Sequence, residues 1–192
     1  MTSSQSFRVD MFTPSPLGWV GGNPPAWFDT CTDLLLGDEA TYGFLFTFAL
    51  DDHDAISVFL AQDFNYRIEH NIYPGNGGKV FRHPITEQSK RTDSQLLADD
   101  GTSPVLRQAW LHPIQTDAEH PPILTVGGEP TLIQEEDCYT CPLESDGWEF
   151  FACFDEDGYC DEQLLDQYPL TYGALYVYRR GEDFTFGFWQ YS

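Results

Sequence analysis

Two parts of the chain carry the same succession of short motifs, and this internal similarity restricts the possible folds most. A Gly-Gly-x-Pro motif that starts at Gly21 recurs at Gly127. Paired glycines allow backbone angles that other residues resist, and the proline then fixes the chain, so each motif predicts a rigid turn. Each turn is followed by an aromatic-rich stretch that ends in acidic residues, at 43–52 and at 147–156.

A third motif starts with a Tyr-Pro pair and continues into a glycine-led strand, at 73–81 and again at 168–176. Three matches in the same order predict two pseudo-equivalent β-rich repeats, at about 18–82 and 124–192, joined by an irregular connector at about 83–122. The predicted fold class is α+β, predominantly antiparallel β. Both repeats are expected to pack as one domain over 1–192, because the length suits a single well-buried core.

The apolar pattern predicts the individual elements. Continuous apolar stretches at 44–50 and 148–154 indicate central strands covered on both faces. Residues 1–17 form a polar lead-in. Further strands are expected at 55–60, 79–81, 174–178 and 184–189, and short helical segments at 105–111 and 161–167.

Charge narrows the class of partner. The formal net charge is -22, and residues 116–192 hold 17 acidic residues against Arg179 and Arg180. A polyanion would be repelled, so we expect neither nucleic acid nor an anionic membrane as partner. The start of the chain lacks the pattern of a signal peptide, which favours a cytoplasmic protein with reduced thiols. The high acidity favours a monomer.

Motifs for catalysis are absent from the sequence, so we predict no enzyme, no cofactor and no metal. Cys138 and Cys141, with Cys153 and Cys160, are the one metal-like set, but the spacing of the second pair does not suit a zinc knuckle. No nucleophile elbow, phosphate loop or dinucleotide fingerprint occurs. A zinc protein, or a hydrolytic enzyme that uses the Cys, His and carboxylate groups of the second repeat, remains the alternative.

Acidic and tyrosine side chains of the second repeat form the predicted binding site. Carboxylates pair with basic groups, and exposed tyrosine rings attract cations, so the set suits a basic protein or peptide. Half-buried tyrosines of a sheet are the competing interpretation. The predicted partner-binding residues are Glu135, Glu136, Asp137, Tyr139, Asp155, Glu156, Asp157 and Tyr159.

The second repeat resembles the YwqG-like family, which belongs to a wider group with programmed cell death protein 2. The resemblance rests on the motif at Gly127, on Ile133-Gln134, on the strand ending at Asp155 and on residues 173–178. It implies a duplicated β-rich scaffold without known catalysis. Eukaryotic relatives are chaperones for a basic ribosomal protein, and some bacterial relatives look like toxin-immunity partners. The expected function is therefore non-catalytic binding of a basic partner, as a client chaperone or an immunity-type inhibitor.

Overall fold

Ten strands build the protein in the computed structural model, which describes residues 4–36, 41–63, 71–74, 77–98, 101, 103–114, 121–159 and 168–191. One α-helix, α1 at Asp137–Ser145, occurs within these residues. The strands are β1 Gln5–Asp10, β2 Gly18–Val20, β3 Tyr42–Ala49, β4 Asp54–Ala61, β5 Gly78–Pro84, β6 Ala109–Pro113, β7 Leu124–Val126, β8 Glu149–Asp155, β9 Gly173–Arg180 and β10 Asp183–Tyr191.

All ten strands belong to one sheet, in the order β10-β9-β8-β7-β1-β6-β2-β3-β4-β5. Every neighbouring pair is antiparallel. The predicted antiparallel, β-rich character is therefore confirmed. None of the described helices is both long and apolar enough to span a membrane.

The sheet curls into a nearly closed barrel, because its two edge strands approach each other. The Phe186 ring of β10 lies so close to Gly78 of β5 that a Cβ there would be 2.0 Å from it. Arg82 of β5 pairs with Glu182, just before β10. Residues 71–73 bridge to β10, where Tyr73 N donates to Gly187 O at 2.8 Å.

Strand order is the same on the two sides of the central β1–β6 pair. On one side lie β2, β3, β4 and β5, and on the other β7, β8, β9 and β10. We call β1–β5 the first strand run and β6–β10 the second. Each run's opening strand is exchanged: β1 pairs with β7 of the second run, and β6 pairs with β2 of the first. The exchange ties the two runs together by backbone hydrogen bonds.

Hydrogen bonds and bulges recur at matching places in the two runs. Gly21 N donates to Leu45 O at 2.8 Å, and Gly127 N donates to Phe151 O at 2.8 Å. All four glycines of the two Gly-Gly motifs have positive φ, as the predicted turns require. The β3–β4 and β8–β9 ladders each contain one bulge, between Phe44 and Phe46 and between Phe150 and Ala152. We call such matching residues equivalents.

The third sequence match does not follow this order of strands. It aligns β5 with β9, whereas β5 is the last strand of the first run and β9 is the fourth of five in the second. By position in the sheet, β4 is the equivalent of β9 and β5 of β10. The Tyr-Pro pairs accordingly lie in different connections, one after β4 and the other after β8.

Two predicted irregular segments contain central strands. The lead-in at 1–17 includes β1, and the connector at 83–122 includes β6. Residues 109–111 are extended rather than helical, because Trp110 pairs with Trp19 and Leu111 pairs with Val9. The helix predicted at 161–167 lies outside the described residues.

Apolar side chains of the described residues form three clusters. The interior cluster fills the barrel and includes Phe46 and Phe154, whose rings stack at 4.9 Å. The first outer cluster covers the outside of the first run and centres on Trp19, Phe28, Leu35, Phe44 and Phe59. The second outer cluster covers the second run, where α1 supplies Tyr139 and Leu143. Each run is thus covered by the segment between its second and third strands.

Candidate functional site

Three of the predicted acidic contacts are exposed at the start of α1. Glu135 and Glu136 precede the helix, and Asp137 is its first residue. Ion pairs among the described residues involve Arg82 and Arg91, so none of these three carboxylates has a described basic partner. Their exposed negative charges would attract a cationic molecule.

Tyr139 is not the exposed anchor that the sequence suggested. Its ring is buried in the second outer cluster and packs against Phe188, with ring centres 5.0 Å apart. Its hydroxyl donates to Gln134 Oε1 at 2.7 Å. The residue holds α1 against the sheet because an amphipathic tyrosine can bury its ring once its hydroxyl is bonded.

Glu156 is also turned inward, against the expectation that it would contact a partner. Its side chain is 1% exposed. Its carboxylate accepts hydrogen bonds from Leu170 N at 2.8 Å, Tyr172 N at 3.0 Å and Gly173 N at 3.4 Å. Burial raises the pKa of Glu156 to about 8, although these backbone bonds lower it. The group therefore shapes the loop before β9, where Thr171 and Tyr172 have positive φ.

The tyrosines near this loop differ in how far they are exposed to solvent. The Tyr159 hydroxyl is buried and has no hydrogen-bond partner among the described residues. Burial raises the pKa of Tyr159. Tyr172 is the exposed ring, and it stacks on Tyr168 with ring centres 4.1 Å apart. Tyr172, rather than Tyr159, offers an aromatic surface in the loop that the Glu156 carboxylate holds.

Asp155 lies at a concave site that we call the acidic cleft. The cleft lies outside β7 and β8, has a volume of about 260 Å³, and is lined by Pro122, Thr125, Glu129, Thr131, Leu132, Ile133, Phe150, Cys153 and Asp155. Asp155 is half-buried, and its Oδ1 accepts a hydrogen bond from Asp157 N at 3.0 Å. Burial raises the pKa of Asp155. The hydrogen bond from Asp157 N lowers it, and the negative charge of the Asp157 side chain raises it. No described ion pair reaches Asp155 or Glu129.

The first run has almost no space at the equivalent place. Five cleft residues have equivalents there, Pro16, Trp19, Pro25, Thr47 and Ala49, and these line a cavity of only about 20 Å³. Trp19 and Thr125 are equivalents, because Trp19 pairs with Thr47 and Thr125 pairs with Cys153. The size of these two side chains is the main difference between the two places. The buried indole of Trp19 fills the space in the first run. Threonine leaves that space open in the second run, and Asp155 replaces Ala49 at its edge.

The thiols of the described cysteines do not lie together as a metal site. Cys138 and Cys141 are exposed on α1, whereas Cys153 lies on β8 and packs against the second outer cluster. Within the described ranges no three Cys, His, Asp or Glu side chains form a potential metal site, and Cys160 falls outside these ranges. Cys138 does lie in the first turn of a helix, which the sequence did not reveal. Local desolvation and the negative charge of Glu136 nevertheless raise the pKa of its thiol.

A serine–histidine pair occurs in the first run, away from the predicted site. Ser57 Oγ lies 2.8 Å from His83 Nε2, while His83 Nδ1 lies 2.8 Å from Pro84 O. Because a carbonyl oxygen only accepts, Nδ1 carries the proton and Nε2 accepts from the serine. Ser57 is fully buried, and Trp27 stacks on the imidazole. The pair therefore satisfies buried polar groups within the sheet.

Comparison with known proteins finds no matching family, no matching characterised protein and no matching solved structure.

Proposed function

We propose that the chain is a non-catalytic acidic scaffold that binds a basic protein or peptide. In this proposal the two strand runs are diverged β-rich repeats of an α+β domain that resembles the YwqG-like group. The recurring turns, hydrogen bonds and bulges support the duplication. The net charge of -22 supports a positively charged partner.

The observation that carries the proposal is the acidic cleft of the second run. Asp155 is a half-buried carboxylate without a described basic partner, and burial of an anion without a counter-charge is unfavourable. A cation placed at Asp155 would stabilise its charged form. A partner that supplies this cation gains both the ion pair and the relief of that cost.

Shape and lining favour a lysine side chain in the cleft. Its volume, about 260 Å³, is below the range of roughly 300–1,000 Å³ that is typical of small-molecule pockets. Leu132, Ile133 and Phe150 provide apolar walls for an alkyl stem, while Glu129 and Asp155 provide carboxylates for an ammonium group. The exposed acids at the start of α1 add long-range attraction, which raises the rate of encounter.

Two variants separate binding in the cleft from general attraction by the acidic surface. Thr125→Trp fills the cleft as Trp19 does in the first run and changes no charge. Asp155→Asn removes the carboxylate with little change of shape, and Asp183→Asn is the matched control, because Asp183 is exposed on β10 outside the cleft. The probe is a fluorescein-labelled lysine-rich peptide, measured by fluorescence anisotropy at 0.15 M salt.

We expect Thr125→Trp and Asp155→Asn each to weaken binding about tenfold, which corresponds to about 1.4 kcal/mol. Asp183→Asn should change binding by less than about twofold, because surface charges are screened at this salt concentration. Equal weakening by both Asn variants, with no effect of Thr125→Trp, would show that the peptide senses only the overall field and would overturn the cleft as the binding site. Native-lysate capture with wild-type protein, repeated with Thr125→Trp, then identifies the partner.

A further inference from the structure

Two exposed thiols lie one helical turn apart on α1. Cys138 and Cys141 are both exposed, whereas Tyr139 and Leu143 of the same helix are buried against the sheet. The other described cysteines are at least partly buried. Neither of the two exposed thiols lines the acidic cleft. The pair is therefore accessible to a reagent in solution, independently of the proposed binding site.

The spacing brings the two cysteines within reach of a disulfide. In an α-helix, Cα atoms three residues apart are separated by about 5 Å, inside the range of about 4.4–6.8 Å that disulfides span. Helical Cβ atoms at this spacing lie about 5–6 Å apart, and a disulfide needs them at about 3.5–4.5 Å. A bond between Cys138 and Cys141 therefore requires the first turn of α1 to tighten by about 1–2 Å.

Pro142 weakens the turn that carries the two thiols. A proline inside a helix has no N–H for the carbonyl four residues earlier, here that of Cys138, and its ring pushes that carbonyl away. Glu136, directly before the helix, makes no side-chain capping bond. The first turn can thus change shape without breaking the hydrogen bond that another residue at 142 would make.

We propose that Cys138 and Cys141 are a reversible redox pair, which closes to a disulfide by exchange with a low-molecular-weight disulfide in the turn that Pro142 loosens. The resting form is the dithiol, because both cysteines are free in the structure. Tyr139 lies between them in the chain and packs against Phe188. This contact keeps α1 on the sheet while the turn closes.

Two exchange steps account for all atoms and electrons. The Cys141 thiolate attacks one sulfur of the reagent R–S–S–R, which releases R–S⁻ and leaves a mixed disulfide at Cys141. The Cys138 thiolate then attacks the Cys141 sulfur and releases the second R–S⁻. The two cysteine protons end on the released thiols, and two electrons pass to the reagent.

The order of these steps follows from the surroundings of Cys138. Local desolvation and the negative charge of Glu136 raise the pKa of the Cys138 thiol, which lowers its share of reactive thiolate. We therefore assign Cys138 to the second step, which is intramolecular and gains from proximity. The exposed acids Glu136, Asp137 and Glu144 also favour a cationic reagent, such as cystamine, over the anionic oxidised glutathione.

The test incubates the full chain with cystamine and cysteamine at pH 8 without oxygen, and then blocks free thiols with iodoacetamide. A protease that cuts after glutamate releases residues 137–144, which contain both cysteines. Mass spectrometry should show this peptide with two hydrogens lost, and dithiothreitol should restore both thiols. Cys138→Ser should instead stop at a mixed disulfide of Cys141 with cysteamine. Cys31→Ser is the matched control and should leave the internal disulfide unchanged.

Pro142→Ala tests the geometry, because alanine restores the N–H and a regular turn. At a fixed ratio of cystamine to cysteamine, it should lower the equilibrium constant for the disulfide at least about threefold. Ser145→Ala, at the end of the same helix, should leave this constant unchanged. An unchanged constant for Pro142→Ala, mixed disulfides at both Cys138 and Cys141 without an internal bond, or a bond from either thiol to another cysteine would overturn the proposal. Since both thiols lie outside the acidic cleft, such a failure leaves the proposed function untouched.

Discussion

Glu156 gives the sharpest prediction about stability, because a buried carboxyl whose pKa is raised to about 8 makes stability depend on pH. The folded protein keeps the proton that an unfolded carboxyl, with an ordinary pKa of 4.5, has already lost. The folded state therefore binds more protons between these two values, and the free energy of unfolding falls as pH rises through this window. At 1.36 kcal/mol per pKa unit, the ionisation of Glu156 alone lowers the free energy of unfolding by about 2–3 kcal/mol between pH 5 and pH 7.

Glu156→Gln tests this reasoning, since glutamine has a similar shape and does not titrate. Its carbonyl oxygen still accepts from some of the Leu170, Tyr172 and Gly173 amides, but its NH₂ group replaces one acceptor. We expect the variant to be less stable than wild type at pH 5 by about 1–3 kcal/mol, the cost of a buried donor without a partner. The difference should shrink at pH 7–8, because the wild type loses its proton-linked stability and the variant does not.

Urea unfolding followed by tryptophan fluorescence at pH 5, 6, 7 and 8 measures the effect. Glu149→Gln is the control for loss of one acidic residue, because Glu149 is exposed at the start of β8. Asp10 and Asp51 have a lowered pKa, so their contributions vary at more acidic pH and leave this range unaffected. A Glu156→Gln curve parallel to wild type over the whole range would refute the raised pKa.

Two further predictions concern buried groups of the second run. Burial raises the pKa of Cys153 to about 12. Iodoacetamide at pH 8 should therefore modify the exposed Cys138 and Cys141 well before Cys153, as followed by peptide mass spectrometry. Equal rates for all three thiols would contradict the burial of Cys153. Tyr159→Phe removes a buried hydroxyl that has no described partner, so thermal unfolding should show a change between zero and a gain of about 1 kcal/mol. A loss above about 1 kcal/mol would indicate that the hydroxyl is bonded.

Sequence patterns predicted β3 to β5 and β8 to β10, which pair with their neighbours in the chain, but not the three-residue strands β2 and β7. The long apolar stretches of β3, β4, β8, β9 and β10 were recognised because both faces of these strands are covered. β1 and β6 were missed, since each is short and pairs with strands of the other run. Such long-range exchange leaves little local signal beyond the alternation of Phe7 and Val9 with polar residues.

The acidic cleft was predicted only in part. Asp155 was among the predicted binding residues and lines the cleft, but charge counting could not separate it from Glu156, whose burial depends on amides of a loop that lies later in the chain. Thr125 and Glu129 were missed. The available signal was the difference between Trp19 and Thr125, which each lie two residues before a Gly-Gly turn. A small side chain in place of a large one at matching positions leaves space.

The strand β7 borders the acidic cleft, and its side chains are less covered than those of the equivalent strand β2. Thr125 and Val126 are adjacent, so their side chains point to opposite faces of the strand. Thr125 faces the acidic cleft, and Val126 packs against the interior cluster while remaining only partly buried. Their equivalents in β2, Trp19 and Val20, are both buried under the chain's own side chains. A short strand left partly uncovered beside the cleft would gain stability when a partner covers it, so the proposed binding predicts that a bound lysine-rich peptide stabilises the protein.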